Sequence, residues 1–197
     1  MYTFNFVWKK GKEILTVADD FAQLRISVFR EFPYLYDGSV EYEKEYIQTY
    51  SNAKDALLFA VYKNAQMIGA TTCIPLKEET EEVKEPFIKA GFDVDTIFYF
   101  GESLILKEYR GLGFGHRFFD EREAHAKSFG RYNTTAFCAV NREDDHPLKP
   151  NDYRTNDAFW VKRGYQKSID LICRMEWLDI QQSVPTYKEL TFWTKEI

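Results

Sequence analysis

The sequence has few cysteines, no excess of positive charge and no long apolar run. Its three cysteines, Cys73, Cys138 and Cys173, form neither a CxxC pair nor a cluster with histidine, so we expect no metal site of the zinc type. Each lies in an apolar, strand-like stretch, which favours buried free thiols in a reducing cytoplasm. The net charge of −5 gives no reason to expect binding to nucleic acid or to an anionic membrane, and it weakly favours an amine substrate.

Signals that would direct the chain into a membrane are also lacking. No apolar run approaches the roughly 20 residues that cross a bilayer, and residues 1–8 contain no basic region followed by an apolar stretch. The sequence has no internal repeat, low-complexity tract or interdomain linker. We therefore expect a soluble, cytoplasmic protein with one domain over residues 1–197, without a signal peptide.

What the sequence does contain is a globular balance of 45% apolar and 29% charged residues, with 17% aromatic residues for a core and for pocket walls. Hydrophobic spacing predicts a hairpin and several strands that are joined through helices, which implies a mixed α/β sheet. The predicted strands cover residues 2–7, 56–62, 67–74, 96–106, 134–140, 168–177 and 190–194. The predicted helices cover residues 12–32, 39–50, 80–90, 116–129 and 156–163.

The segment that points to chemistry is residues 102–116, where a strand leads into a glycine-rich loop and directly into a helix. Gly111, Gly113 and Gly115 allow backbone amides to approach a ligand closely. Amides at the start of a helix, together with the positive end of its dipole, bind anions, and Arg110 adds a full positive charge. We therefore predict a site for a phosphate or pyrophosphate group.

Two common phosphate-binding loops do not fit this segment. The nucleoside triphosphate loop ends in Gly-Lys-Ser/Thr, and no such ending is present. The dinucleotide fingerprint spaces its glycines as GxGxxG within an opening βαβ unit, whereas here the spacing is GxGxG in the middle of the chain.

The segment resembles instead the GNAT superfamily, the acetyl-CoA-dependent N-acetyltransferases, whose hallmark is Arg/Gln-x-x-Gly-x-Gly/Ala. Arg110, Gly113 and Gly115 match that hallmark, and residues 156–165, NDAFWVKRGY, resemble the later helix of the family. The order of elements agrees over nearly the whole chain. The resemblance implies an α/β (α+β) fold, with a mixed, mostly antiparallel central sheet of about seven strands flanked by about four helices. It also implies an acyltransferase that uses acetyl-CoA as co-substrate and no metal.

The resemblance further implies how coenzyme A is held. Backbone groups of Ser103, Leu104 and Ile105 would pair with the pantetheine arm, where the strand splays from its neighbour, and the Ser103 amide would stabilise the oxyanion. The side chains of this strand can pack in the core at the same time. The loop would hold the pyrophosphate through Arg110, Gly111, Leu112, Gly113, Phe114 and Gly115.

Glu102 is the candidate general base for the acceptor amine, because it is an ionisable residue on an otherwise apolar strand. Apolar surroundings would disfavour its ionised form and make it a better proton acceptor. The alternative is a structural ion pair with a basic residue such as Arg142. The direction of its side chain depends on whether the strand contains a bulge, since a slip of one residue reverses the two faces.

The tyrosine that protonates the leaving thiolate in this family aligns with Trp160, whose indole is no acid at neutral pH. Tyr153, Tyr165 or a water molecule could take its place. Trp160 could pack on the pantetheine or simply in the core. Asn156 could hydrogen-bond the arm or cap the helix that follows.

The acceptor side rests on weaker signals. Tyr34 and Tyr36 follow the first helix, where the family forms its acceptor wall, and they could contact substrate or merely pack. The loop at 141–154 holds Arg142 and an Asp-Asp-His run at 144–146, which could bind a cation or an amine or form a solvated tip. These features favour a small-molecule amine in a closed pocket.

Three alternatives stay open at this point. The acceptor could be a protein terminus or lysine, the acyl group could be longer than acetyl, and the domain could be a non-catalytic acyl-CoA-binding module. Residues 190–193 could form a homodimer interface, although burial within the sheet explains their apolar character equally well.

Overall fold

The computed structural model describes residues 3–197, so the predicted start of the first strand at Tyr2 lies outside the described residues. The described chain forms a seven-stranded sheet in the order β1-β2-β3-β4-β5-β7-β6. Only β4 and β5 pair in parallel, and the other neighbours are antiparallel. The strands are β1 (Phe4–Lys10), β2 (Leu57–Lys63), β3 (Gln66–Pro75), β4 (Ile97–Ile105), β5 (Thr134–Val140), β6 (Gln166–Trp177) and β7 (Thr186–Glu196).

Helices cover both faces of the sheet, as the mixed α/β pattern predicts. One face packs against α1, α2 and α3, and the other against α4 and α5. The five α-helices of residues 3–197 are α1 (Ala18–Phe29), α2 (Val40–Asn52), α3 (Glu81–Lys89), α4 (Phe114–Ser128) and α5 (Asp157–Lys162). The mixed, mostly antiparallel sheet is therefore confirmed, with one helix more than the resemblance implies.

The apolar run of β2 shows why the sheet needs two layers of helices. Leu58 and Ala60 face the core beneath α1 and α2, whereas Phe59 and Val61 face the core beneath α4. A strand that is buried on both faces has no polar alternation, so its sequence is continuously apolar.

Several element boundaries differ from the prediction, and for two elements the reason can be identified. The predicted helix at 12–32 begins as a 3₁₀ segment, Gly11–Val17, and its α-helical part ends at Phe29, before the turn around Pro33. Pro33 disfavours helical geometry for the residue before it. The last strand extends beyond 190–194 to Thr186–Glu196, because its outer residues are polar and carry no apolar signal.

The aromatic stretch at 190–193 is explained by burial within the chain. Strand β7 lies between β5 and β6, and Leu190, Phe192 and Trp193 are buried. These side chains are therefore not available for contacts with a second copy.

A membrane-spanning helix is not found in residues 3–197, because none of the helices there is both long enough and apolar enough.

Candidate active site

A wedge-shaped cleft opens where β4 and β5 separate. The two strands pair from Ile97↔Thr134 to Tyr99↔Ala136, and then diverge. The resulting cleft has a volume of about 1360 Å³ and is bordered by the end of α1, the start of α4 and the loop after β5. The splay that the family resemblance implies is therefore present in this chain.

A bulge in β4 sets the direction of Glu102. The register with β3 passes from Thr71↔Ser103 to Cys73↔Phe100, so β4 contains one extra residue between these pairs. As a result Gly101 and Glu102 both face the α1–α2 side of the sheet, and Glu102 accepts a hydrogen bond from Thr72 there. Gly101 must be glycine, because a Cβ atom would collide with the hydroxyl groups of Tyr50 and Thr72.

Beyond the bulge, one edge of β4 faces the cleft with its backbone groups. The Leu106 amide donates to the Ile68 carbonyl of β3 at 3.0 Å. Because successive amides of an extended strand alternate between its edges, the amides of Ser103 and Ile105 point into the cleft. The Leu104 side chain is buried in the core, as expected. This edge can therefore pair with an extended ligand, whereas its side chains hold the sheet together.

The glycine-rich loop gives α4 an uncapped start. Gly111 and Gly113 have φ values of +80° and +86°, a left-handed geometry that favours glycine. Gly113 is the N-cap, and no side chain there caps the helix amides. Open amides at the positive end of a 15-residue helix form an anion site.

The other residues of this loop do not all reach the cleft. Gly115 lines it, with the ring of Phe159 3.6 Å from where a Cβ atom would lie. Phe114 also borders the cleft, but its side chain is buried in the core. Leu112 is 55% exposed and lies outside the residues that line the cleft.

Arg110 lines the cleft but already has an acidic partner. Its two terminal nitrogens donate to the carboxylate of Glu31 at 2.9 and 2.8 Å, and its Nε donates to the Ile105 carbonyl at 3.0 Å. Arg110 thus ties the loop to the segment after α1, and Glu31 partly neutralises its charge.

Glu102 belongs to a buried ion-pair cluster rather than pairing with Arg142. It is only 5% exposed, it borders the cleft, and its carboxylate accepts hydrogen bonds from Arg25 and Thr72. Arg25, which is also buried, pairs in addition with Glu43 of α2. Two carboxylates on one guanidinium leave net negative charge beneath the cleft, which suits an incoming ammonium group.

Arg142 holds the acceptor wall in place. It lines the cleft, but its guanidinium donates to both Asp179 oxygens at 2.7 and 2.9 Å and to the carbonyls of Pro33 and Tyr34 at 2.7 Å. These bonds join the segment after α1 to the loop between β6 and β7. Most donors of Arg142 are therefore used within the protein, which explains why it is not the partner of Glu102.

We expect Asp179→Asn to destabilise the fold by about 3–5 kcal/mol at pH 7, because it leaves the buried Lys188 and the partly buried Arg142 without their carboxylate partner. Burial alone raises the pKa of Asp179, but its hydrogen bonds and charge contacts with Arg142 and Lys188 outweigh burial and hold that pKa below its usual value. The stabilisation is therefore present above about pH 4 and is lost as the pH falls further. Urea unfolding at pH 7 and pH 3 measures the difference in free energy of unfolding between the wild-type protein and Asp179→Asn. A difference that does not shrink at pH 3 would contradict this prediction.

Of the two predicted acceptor tyrosines, the structure brings only Tyr34 to the cleft. Its ring packs against Phe29 at 4.5 Å and Trp177 at 6.1 Å, and burial raises its pKa, so the phenol stays neutral. Tyr36 forms an isolated bridge with Asp179 and does not line the cleft. A contact between Tyr36 and a substrate in this cleft is therefore not supported.

Of the two candidate proton donors, Tyr153 and Tyr165, the first lines the cleft and the second does not. Its ring lies edge to face against Phe32 at 4.6 Å, and burial, with a contribution from Asp157, raises its pKa. Tyr165 is buried in the core, where its hydroxyl contacts Thr135 at 3.0 Å, and it does not reach the cleft.

Trp160 and Asn156 lie in the wall formed by α5. Trp160 borders the cleft, and its ring packs on the rings of Phe137 and Trp193 at 5.0 and 5.1 Å. It therefore packs in the core as well as lining the cleft. Asn156 is exposed, lines the cleft and occupies the N-cap position, but its side chain makes no capping hydrogen bond. The capping alternative is therefore wrong.

The loop at 141–154 gives no sign of a cation site. Asp144 is exposed and bonds Lys149 at 2.8 Å, while His146 Nδ1 accepts from the Leu148 amide at 3.2 Å. Across residues 3–197, no group of three or more His, Cys, Asp or Glu side chains is placed to hold a metal ion.

Sequence reasoning missed Arg25 and Arg122, two buried arginines beside the cleft. Both lie on the apolar face of a helix. Arg25 follows Phe21 by one turn in α1, and Arg122 follows Phe118 by one turn in α4. A charged residue at core-facing helical spacing was the signal that could have found them.

No family model matches the sequence, and the comparison with curated proteins gives no significant match. Solved structures are similar over almost the full chain. An acetyltransferase from Streptococcus agalactiae 2603 has a TM-score of 0.61 at 12% identity, with 98% of each chain covered. GNAT-family acetyltransferases from Staphylococcus aureus Mu50 and Streptococcus pneumoniae have TM-scores of 0.60 and 0.58 at 11% and 12% identity. These two cover 98% of this chain and 99% and 100% of their own.

At such low identity the likeness is one of fold. The chain therefore has the GNAT fold, the fold of the acetyl-CoA-dependent N-acetyltransferases.

Proposed function

We propose that the protein transfers the acetyl group of acetyl-CoA to a primary amine of a small molecule, by direct attack within a ternary complex. The observation that carries this proposal is the open edge of β4 at Ser103–Ile105, next to an uncapped helix start. A phosphate-bearing ligand with a long, amide-containing arm fits these two features together.

The residues present fit coenzyme A in both parts of the cleft. The amides at Gly113–Gly115 would hold the pyrophosphate, and the amides of Ser103 and Ile105 would pair with the pantetheine arm. Lys107 and Arg154 also line the cleft and form no ion pair within residues 3–197, so they favour an anionic ligand. Lys149 and Lys167 line it too, but they pair with Asp144 and Asp157.

On the acceptor side, Glu102 and Glu43 create the negative charge that attracts a protonated amine. The amine must lose a proton before it attacks, and of the carboxylates that line the cleft Glu102 is the one directly before Ser103 in β4. The Ser103 amide would stabilise the oxyanion of the intermediate. Tyr153 would protonate the departing thiolate, although a thiol with a pKa of about 8.5 leaves readily without help.

The walls of the acceptor end favour a small molecule over a protein. Phe29, Phe32, Tyr34 and Tyr153 line the cleft there, and the loop at 141–154 forms part of the same wall. Arg142 ties the segment after α1, at Tyr34, to the loop between β6 and β7, at Asp179. A protein acceptor would need a wider groove than these tied walls leave.

A second candidate function is a non-catalytic acyl-CoA sensor. It is favoured by the contacts of Glu102, whose carboxylate is already held by Arg25 and Thr72, and by Trp160 at the position of the family's acid.

A turnover assay separates the two candidates. We expect acetyl-CoA to release free thiol only when an amine is present, with an acetylated product of the matching mass. A panel of polyamines, amino acid derivatives and aminoglycosides, with a lysine peptide as the protein-like acceptor, covers the alternatives. Tight binding of acetyl-CoA with no thiol release for any amine would support the sensor instead.

A further inference from the structure

The cleft has an apolar wall on the α1–α2 face of the sheet. Five partly exposed side chains line the cleft and also pack on the core beneath α1 and α2: Val28, Phe29, Tyr34, Cys138 and Val140. They come from the end of α1, the segment after it and the end of β5. Glu102 faces the same side of the sheet. The body of an amine held at Glu102 would therefore lie against this apolar wall.

Side-chain contacts connect the apolar wall to Glu102. The guanidinium of Arg25 pairs with the Glu102 carboxylate, and its central carbon lies 4.9 Å from the centre of the Phe29 ring. The Phe29 ring packs in turn against the Tyr34 ring at 4.5 Å. Aromatic carbon is thus the first material beyond the ion-pair cluster on this face.

Negative charge in this part of the cleft is confined to one place. Of the carboxylates within residues 3–197 that line the cleft, only Glu102 is buried. The others either pair with a cation (Glu31, Asp144 and Asp157) or are exposed in the loop at 141–154 (Glu143 and Asp152). Exposed carboxylates attract a cation only weakly, because water screens them.

The region next to Tyr34 carries net positive charge. Arg142 lines the cleft and donates to the Tyr34 carbonyl, and it shares the single carboxylate of Asp179 with Lys188. Burial raises the pKa values of Tyr34 and Tyr153, so neither phenol carries negative charge. A second ammonium group on the substrate would therefore lose its water here without gaining a counter-ion.

We propose that the acceptor is an apolar monoamine, an alkylamine or arylalkylamine with one charged nitrogen, rather than a polyamine or an aminoglycoside. The inference rests on the proposed function, which places the amine nitrogen at Glu102. One ammonium group matches the net negative charge of Glu102 and Glu43 around Arg25. The rest of the molecule replaces water against apolar and aromatic side chains.

The transfer reaction is the same for this class of acceptor. The ammonium group loses one proton to Glu102, and the free nitrogen forms a bond to the acyl carbon. The carbon–sulfur bond then breaks with its electron pair on sulfur, and the second proton of the nitrogen ends on sulfur as the thiol. The product is a neutral amide, which has no charge left to hold it at Glu102.

Hexylamine and cadaverine form a matched pair of substrates. Their chains have the same length and differ at the far end, which is a methyl group in hexylamine and an ammonium group in cadaverine. With acetyl-CoA and the wild-type protein, we expect kcat/KM to be about 100-fold higher for hexylamine than for cadaverine. Phenethylamine should also exceed cadaverine, and spermidine should fall below hexylamine. A preference for hexylamine over cadaverine of less than about tenfold would overturn the proposal without any variant.

Val140→Asp tests the apolar wall itself. Val140 is half-buried at the end of β5 and lines the cleft. A carboxylate there gives a second ammonium group a counter-ion. We therefore expect kcat/KM to rise about tenfold for cadaverine and to fall about tenfold for hexylamine. Damage to the fold would lower both values, so the opposite signs identify a change in selectivity.

Val161→Asp is the matched control. Val161 is 61% exposed on α5 and does not line the cleft, so the same substitution there should change kcat/KM for either amine by less than about threefold. If Val140→Asp lowers kcat/KM for both amines alike while Val161→Asp changes neither, the apolar wall does not select the substrate and the proposal is overturned. If Val140→Asp does not fold, the wild-type ratio for the matched pair decides alone.

The outcomes separate this inference from the proposed function. If the wild-type protein acetylates no amine, with polyamines and aminoglycosides included, both fall. If it acetylates polyamines or aminoglycosides as well as it does hexylamine, acetyl transfer to a small amine stands and only the apolar monoamine falls.

Discussion

Replacing Gly113 with aspartate is expected to lower the affinity for acetyl-CoA by at least about 100-fold. Aspartate tolerates this left-handed position better than most residues, so the variant should still fold. The new carboxylate would stand at the helix start that we propose binds the pyrophosphate, and at 4 Å its repulsion amounts to about 1–4 kcal/mol. Equilibrium dialysis with labelled acetyl-CoA measures the loss directly.

Gly91→Asp is the matched control for this variant. Gly91 also has a left-handed φ, +80°, and a Cβ atom there meets no atom within 4 Å, as at Gly113. It follows α3 and does not line the cleft. Gly91→Asp should therefore lose about as much stability as Gly113→Asp but keep the wild-type affinity for acetyl-CoA. Equal affinity in both variants, with both folded, would remove the loop from the binding site.

Replacing Glu102 with glutamine is expected to lower kcat by about 100-fold or more, because the amide cannot accept the proton of the acceptor amine. The affinity for coenzyme A should stay within a few-fold, because in the proposed binding mode backbone groups of the loop and of β4 hold the coenzyme. Single-turnover acetylation across a range of pH measures the chemical step. A turnover equal to that of the wild type at every pH would exclude Glu102 from the mechanism.

Glu43→Gln separates this chemical role from a purely structural one. Glu43 is the other carboxylate of Arg25, it is also buried, and it does not line the cleft. If Glu102 matters only because it holds Arg25, both variants should lose turnover to the same extent. If Glu102 takes the proton, Glu43→Gln should lose stability and some affinity for the amine, because one negative charge is removed, but it should keep most of its kcat.

The fold could be predicted well from the sequence, because its strands and helices carry clear local patterns. The β5 range Thr134–Val140 agrees at both ends, since β5 is a compact run between Gly130 and a polar loop. Strand β2 is buried on both sides of the sheet, so both of its faces must be apolar. A continuous apolar run in the sequence indicates such a strand. That residues 1–197 form one domain stays a prediction.

The candidate site could be predicted only where local sequence determines it. The loop at Gly111–Gly115 depends on residues next to one another, so its glycines and its helix start were visible. The partner of Glu102 was not, because Arg25 is distant in sequence and the bulge that turns the carboxylate toward it depends on pairing with β3. The bond between Arg142 and Asp179 is another such long-range contact. The roles proposed for these residues in binding and catalysis stay predictions.

A calorimetric titration of the wild-type protein with acetyl-CoA tests whether the cleft binds the coenzyme. We expect one site per chain with a dissociation constant on the order of micromolar, and weaker binding of dephosphorylated pantetheine fragments that cannot use the loop at Gly111–Gly115. The absence of any heat of binding, with the protein shown to be folded, would exclude both proposed functions, because neither acetyl transfer nor acyl-CoA sensing is possible without that complex.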